Sequence, residues 1–187
     1  MRALTTIAAV AIGAMLLSGC LPQQPIATPP PEATAAPIFA SDEEALAAAT
    51  TAYAAYVAMS DLILKDGGKD PDRIDALIVG DDLIASEKAG FTDFRNSGYR
   101  SIGDTKFENI TVQQVAYYSH DGLDVVRLYL CSDVADVDVV DQSGSSIVSP
   151  SRADRTGFEI GFDLAGSAGM SLIVSSKQTW NSEQICE

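Results

Sequence analysis

The chain has 187 residues, with 26 acidic side chains against 12 lysines and arginines and a formal net charge of −14 at pH 7. This acidity argues against nucleic acid as a partner and against a domain that lies flat on an anionic bilayer, because phosphate groups need lysine or arginine opposite them. The length is that of one ordinary domain with a sizeable core.

Residues 1–19 have the pattern of a secretory signal peptide. Arg2 supplies the positive start, an apolar run follows over residues 3–17, and Leu17-Ser18-Gly19-Cys20 ends the segment. This ending resembles a bacterial lipobox, which implies cleavage before Cys20 and diacylation of its thiol by palmitate-like chains. The alternatives are a conventional secretory signal and an uncleaved anchor, although the run is shorter than the ~20 residues that span a bilayer. We therefore expect attachment to the cell membrane on its extracytoplasmic side.

Residues 20–40 join this lipidated cysteine to the rest of the chain. They are rich in Pro, Ala and Thr, and they include Pro29-Pro30-Pro31. Such a segment buries too little apolar surface to offset its ordering entropy, so it should stay extended. We predict a tether with a reach of about 60 Å at most, followed by one domain over residues 41–187.

The domain is predicted to open with a long amphipathic helix. Ser41 and Glu44 form a capping-box pattern, and the pair Gly67-Gly68 is placed to end the helix. Between them one face repeats at helical spacing. Its positions are Leu46, Ala49, Tyr53, Tyr56, Val57, Ser60 and Leu64.

Two shorter helices follow in the pattern. Asp70 as cap and Pro71 in the first turn predict the start of the second helix, which Gly80 ends. Asp81-Asp82 begins the third helix, and Gly98 is its expected stop.

After Gly98 the sequence changes to β-strand patterns, with His120-Asp121-Gly122 as a tight-turn signal. Helices followed by antiparallel strands predict an α+β fold, in which the N-terminal helices pack on one face of a curved sheet. The predicted strands are 107–118, 123–133, 137–141, 157–164 and 170–180, and in the fourth of these Phe158, Ile160, Phe162 and Leu164 share one face.

With Cys20 assigned to lipid, two cysteines remain. A bond between Cys131 and Cys186 would close a loop of about 55 residues and could stabilise the fold by about 4 kcal/mol. Two free buried thiols and a metal site are the alternatives. A metal site is disfavoured because the chain has no paired C-x-x-C spacing and a single histidine, His120.

Several features together carry a family resemblance: the helices before a long meander, Cys131-Ser132-Asp133, the turn at residues 141–144, and Trp180 before Ile185-Cys186. They resemble lipoproteins of high-GC Gram-positive bacteria with a nuclear transport factor 2-like, cystatin-like domain. The resemblance covers most of residues 41–187. It implies a cone-shaped α+β domain with an apolar cavity, a disulfide between Cys131 and Cys186, and no assigned reaction.

Family geometry and helical phase suggest Tyr56, Ser60 and Phe94 as the lining of a ligand pocket. Other branches of the fold are ketosteroid isomerases and polyketide cyclases, in which Asp61 or Asp93 would be the candidate base here. Both carboxylates are expected to be solvated, and no catalytic residue is assigned.

Four carboxylates occur close together at Asp133, Asp136, Asp138 and Asp141. This run lacks the glycine and the distal glutamate of an EF-hand loop, so it is interpreted as a charged edge strand, with Asp136 and Asp138 on one face. The sequence predicts neither a metal nor a cofactor.

We expect a membrane-anchored extracytoplasmic lipoprotein with a non-catalytic domain that binds a small apolar ligand or an envelope partner protein. The alternatives are a secreted isomerase-like or cyclase-like enzyme and a structural accessory module of a membrane complex.

Overall fold

The structure, a computed structural model, describes residues 36–118, 124–166, 171–181 and 183–187. The predicted signal peptide, Cys20, most of the tether and the predicted turn at His120 lie outside these residues. In the described part the chain has the predicted α+β arrangement, with helices first and a curved antiparallel sheet after them.

The first helix, α1, spans Asp42–Lys65. The Ser41 hydroxyl accepts a hydrogen bond from the Glu44 amide at 3.3 Å, as the capping box predicts. The Glu44 carboxylate reaches back one residue further than expected and accepts from the Ala40 amide at 2.7 Å. The pair Gly67-Gly68 ends the helix with φ of +72° and +71°, a conformation that glycine adopts without steric cost.

The second helix is a single 3-10 segment, Pro71–Ala76. Its predicted cap is wrong. Asp70 lies in the left-handed region at φ 50°, and its side chain makes no capping hydrogen bond, because a cap needs extended backbone to reach the first amides. The third helix, α2, spans Asp81–Asn96 and ends just before Gly98, as predicted.

Four strands form the main sheet: β2 Lys106–Val115, β3 Val126–Asp133, β5 Arg155–Leu164 and β6 Leu172–Thr179. They pair antiparallel throughout, in the order β2-β3-β5-β6. All their ends lie within three residues of the predicted bounds, and the two strands beside the turn each stop three residues short of the bound predicted there.

A separate two-stranded sheet joins β1, Arg100–Ile102, to β4, Asp138–Val140. The sequence did not predict β1. Three residues, of which Ser101 alone is buried, are too few to show the alternation by which a strand is recognised.

The core lies between α1 and the inner face of the main sheet. Ile160 and Phe162 are fully buried on this face, and Phe158 and Leu164 pack against them at the edge of the core, so the predicted apolar face is confirmed. Phe39 is 1% exposed and belongs to the same core, which means that the folded part begins before Ser41.

Strand β6 contains a β-bulge that changes which face its side chains occupy. Phe162 pairs with Val174, but the preceding Gly161 pairs with Ser176, so Ser175 is an extra residue. Side chains alternate between the faces of a strand, and one inserted residue reverses that alternation. Lys177 therefore lies on the inner face, opposite Ile160.

The carboxylate of Asp124 holds this bulge. It accepts hydrogen bonds from the Ser175 hydroxyl at 2.6 Å and from the Ser176 hydroxyl at 3.5 Å, and Arg127 donates to it at 2.8 Å. A Cβ at Gly161 would overlap the Asp124 carboxylate and the Ser176 hydroxyl. A glycine is therefore needed at this position for the carboxylate to reach both serines.

The C-terminal 3-10 helix, Glu183–Cys186, returns to the outer face of the sheet. Cys186 lies at disulfide-bonding distance from the buried Cys131 on β3, with their Cα atoms 5.1 Å apart. The side-chain amide of Asn109 donates to the backbone carbonyl of Ile185 at 3.0 Å. This tail is therefore attached to the sheet at two points.

Reduction of the Cys131–Cys186 pair should destabilise the fold. The bond closes a loop with a sequence separation of 55, so breaking it frees the unfolded chain and should lower the free energy of unfolding by about 2–4 kcal/mol. Urea denaturation with and without reductant measures this change, and non-reducing peptide mapping should recover the linked peptides. An unchanged unfolding midpoint under reductant would contradict the assignment.

Candidate functional site

The predicted pocket residues Tyr56 and Ser60 lie one turn apart on α1. Tyr56 is 2% exposed, and its hydroxyl accepts a hydrogen bond from the Lys177 amine at 2.7 Å. The Ser60 hydroxyl is buried and has no hydrogen-bond partner among the described residues. Phe94 packs edge-on against Tyr99, with ring centroids 5.8 Å apart.

Tyr56, Glu87 and Lys177 form what we call the inner polar cluster. The Lys177 amine lies 3.1 Å from a Glu87 carboxylate oxygen and over the rings of Tyr56 and Phe158, at 5.2 and 5.6 Å from their centroids. Burial raises the pKa of Tyr56 above its usual value, and the negative charge of Glu87 raises it further. The tyrosine hydroxyl therefore stays protonated at physiological pH.

This cluster links three elements, α1, α2 and β6, in the space where the family resemblance implied a cavity. Tyr53 fills the adjoining space, 5.7 Å from Tyr56 and 4.9 Å from Phe107 between ring centroids. Glu87 also lines a surface cleft of about 300 Å³ beside Leu64 and Phe91. Tyr53 and Tyr56, by contrast, are only 3% and 2% exposed. The interior around Tyr56 is thus occupied by the protein's own side chains.

The two candidate bases lie in different environments. Asp61 is 6% exposed, so the expectation that it is solvated is wrong. Its two carboxylate oxygens accept from the amide and the hydroxyl of Thr105, each at 2.8 Å, which fastens the β1–β2 connection to α1. Asp93 is exposed on α2, as expected. Neither carboxylate faces Tyr56 in the inner polar cluster, where Glu87 lies instead.

The acidic run does not form an edge strand along its whole length. β4 begins at Asp138, and Asp136 precedes it and pairs with Lys106 at 2.5 Å, so the two do not share a strand face. Asp141 instead caps its own turn, accepting from the amides of Ser143 and Ser145. Within the described residues, no three acidic, cysteine or histidine side chains converge to hold a metal ion.

A groove beside the first half of α1 is lined mainly by apolar side chains. We call it the α1 groove. Phe39, Leu77 and Leu172 line it together with α1, and its volume is about 510 Å³. Among the described residues that line it, Glu44 alone is charged. The α1 side chains that line it are Ala47, Ala48, Thr51, Ala52 and Ala55.

The sequence contains a pattern that indicates this groove, in addition to the repeat of buried residues on α1. Ala47, Thr51 and Ala55 recur every four residues, which places them on one side of the helix. All three are exposed, whereas an outward helix face usually carries charged side chains. Residues 45–60 contain no charged side chain. This lack of charge marks the outer side of α1 as an apolar surface.

By length and composition α1 could also cross a membrane, a test that the core helices of soluble proteins pass as well. Comparison of the chain with protein-family models, curated proteins and solved structures gives no match. The resemblance to nuclear transport factor 2-like lipoproteins stays a prediction.

Replacing Lys177 with methionine should destabilise the protein by about 2 kcal/mol, because it leaves the Glu87 carboxylate, 15% exposed, without its cation. The K177M/E87Q variant should lose less than K177M alone, since it also removes the stranded charge. Urea unfolding of the four proteins in this cycle measures the coupling.

Lys106→Met provides the matched control for this cycle. Its partner Asp136 is 69% exposed, and we expect a loss below about 0.5 kcal/mol. Strictly additive effects of K177M and E87Q would show that the inner polar cluster does not act as a unit.

Proposed function

We propose that this chain is a membrane-anchored extracytoplasmic lipoprotein whose cone-like, nuclear transport factor 2-like domain binds a small apolar molecule in the α1 groove. The α1 groove is the observation that carries the proposal. Its volume of about 510 Å³ lies in the range of small-molecule sites, which are concave and mostly apolar. The domain is non-catalytic in this proposal.

The chemistry of the lining favours an apolar ligand. Alanine side chains on α1 leave space beside Leu77 and Leu172, and both leucines are partly buried against the core. An apolar molecule in this space would remove their remaining exposed surface from water, at about 25 cal/mol for each Å². Glu44 and Ser171 lie on the same lining and could contact a polar end of the molecule.

The predicted anchor supports the same function. Phe39, which lines the groove, lies at the C-terminal end of the segment predicted as the tether. Molecules that fit an apolar groove dissolve poorly in water and partition into membranes. A binding domain held at the membrane by acylated Cys20 would meet them at their highest local concentration.

A partner protein of the envelope is the second candidate, and one observation favours it. The exposed side of α1 continues beyond the groove as an uncharged surface through Ala54, Ala58 and Leu62, and Leu62 is 49% exposed. Exposed apolar surface of this kind is used in protein contacts. The enzymatic alternative gains no support from Asp61, whose carboxylate is engaged by Thr105.

Replacing Cys20 with serine should release the protein from the membrane into the medium, because the acylated sulfur is gone. Membrane fractionation of cells that express the two chains measures this, and mass spectrometry of the native N-terminus should find two acyl chains. Continued membrane retention of the serine variant would contradict lipidation at Cys20.

The groove is tested with Nile red, a neutral apolar dye. We expect saturable binding to the wild-type protein and at least tenfold weaker binding to Ala55→Glu, which places a charge in the groove. Ala58→Glu is the matched control, because Ala58 is also exposed on α1 but is not among the residues that line the groove, and the affinity of this variant should stay within twofold. Equal losses in both variants would contradict binding in the groove.

A further inference from the structure

Most lysines and arginines in the described part of this acidic protein form ion pairs with carboxylates, but a few do not. Of the eleven lysines and arginines in the described residues, eight form ion pairs with described carboxylates. The other three are Lys69, Arg95 and Arg100, all of them exposed. A chain with 26 acidic side chains could pair every cation, so three without a described carboxylate partner need a reason.

These three cations line a single cleft, which we call the basic cleft. It has a volume of about 650 Å³ and also contains Lys65 and Tyr99. The two carboxylates that line the cleft offset little of its positive charge. Asp66 is bound by Arg73 at 2.8 Å, outside the cleft lining, which leaves Asp70 as the single lining carboxylate without a described cation partner.

The fold brings the cations together through a close backbone approach. The turn after α1 packs directly on α2, because Gly68 has no side chain and a Cβ there would overlap the Phe91 carbonyl oxygen. This contact also places the turn against the backbone of Arg95. Lys69 follows in the turn, and Arg100 begins β1 beyond α2. The packing of the turn after α1 against α2 therefore brings these cations together.

Helix dipoles explain the positions of only some of these cations. The C-terminal end of a helix carries about half a negative charge, which favours a cation in its last turn. Lys65 in α1 and Arg95 in α2 occupy those last turns. Lys69 and Arg100 lie outside both helices, so their positions are not explained in this way.

We propose that the basic cleft binds a phosphate ester. Arginine guanidinium groups match phosphate oxygens with two parallel hydrogen bonds, and lysine adds a point charge. The cleft is larger than a single phosphate needs, and its lining is polar apart from Tyr99 and glycine, so it fits a phosphate on a polar organic body.

The cleft lies at the opposite end of α1 from the residue that joins the predicted tether. With 24 residues in α1, the two ends are separated by ~36 Å. A lipid headgroup would suit a cleft beside the tether junction. We therefore assign a soluble phosphate ester rather than the phospholipid surface, and this assignment is independent of the apolar ligand proposed for the α1 groove.

Inorganic pyrophosphate is the probe, titrated calorimetrically into the Cys20→Ser chain at constant ionic strength. Saturable binding is expected, weakened at least tenfold in Lys69→Gln/Arg100→Gln. Lys106→Gln/Arg155→Gln has the same change in net charge at exposed sites elsewhere and should bind within twofold of the parent. Because the substituted side chains are exposed, circular dichroism should show all variants folded.

A second arm uses vesicles of phosphatidylglycerol, and the Cys20→Ser chain should not sediment with them. Three results would overturn the proposal: no saturable pyrophosphate binding, equal losses in both double variants, or vesicle binding that depends on Lys69 and Arg100 without pyrophosphate binding. A Nile red affinity unchanged in Lys69→Gln/Arg100→Gln is expected, because the groove and the cleft are separate sites.

Discussion

Lys177 lies on the inner face of the sheet, and this orientation determines which side chains fill the space beside Tyr56. Without the extra residue Ser175, the alternation of β6 would place Lys177 on the outer face of the sheet. The bulge turns it inward, where its amine meets Tyr56 and Glu87. The bulge itself depends on Asp124, which bonds to the serines on the opposite face. The hydrogen bonds of Asp124 on the outer face thus stabilise the bulge that turns Lys177 to the inner face.

A charged amine that is partly buried beside a core is costly unless polar groups satisfy it. Here a carboxylate, a hydroxyl and two aromatic rings surround the amine, so the inner polar cluster links α1, α2 and β6 rather than leaving an open cavity. Both of the binding sites that we propose therefore lie outside the core. The α1 groove and the basic cleft occupy different stretches of α1 and differ in chemistry, the first apolar and the second cationic.

The candidate residues show where sequence reasoning succeeds and where it stops. The helical repeat placed Tyr56 on the buried side of α1, and the structure agrees. It could not identify Lys177 as the partner, because the two are 121 residues apart in sequence and the bulge that joins them leaves no periodic signal. Asp61 was expected to be solvated, because a lone carboxylate usually is. It is buried instead, and Thr105 satisfies its carboxylate with two hydrogen bonds.

The sequence by itself determined the order of the helices and of every strand except β1, because capping residues, glycine stops and the periods of helix and strand are local properties of the chain. It also determined that Cys131 and Cys186 were available to pair. Tertiary structure alone decided the β1–β4 pairing, the inward turn of Lys177 and the gathering of Lys69, Arg95 and Arg100. Each of these depends on residues that are distant in sequence and meet only when the helices pack on the sheet.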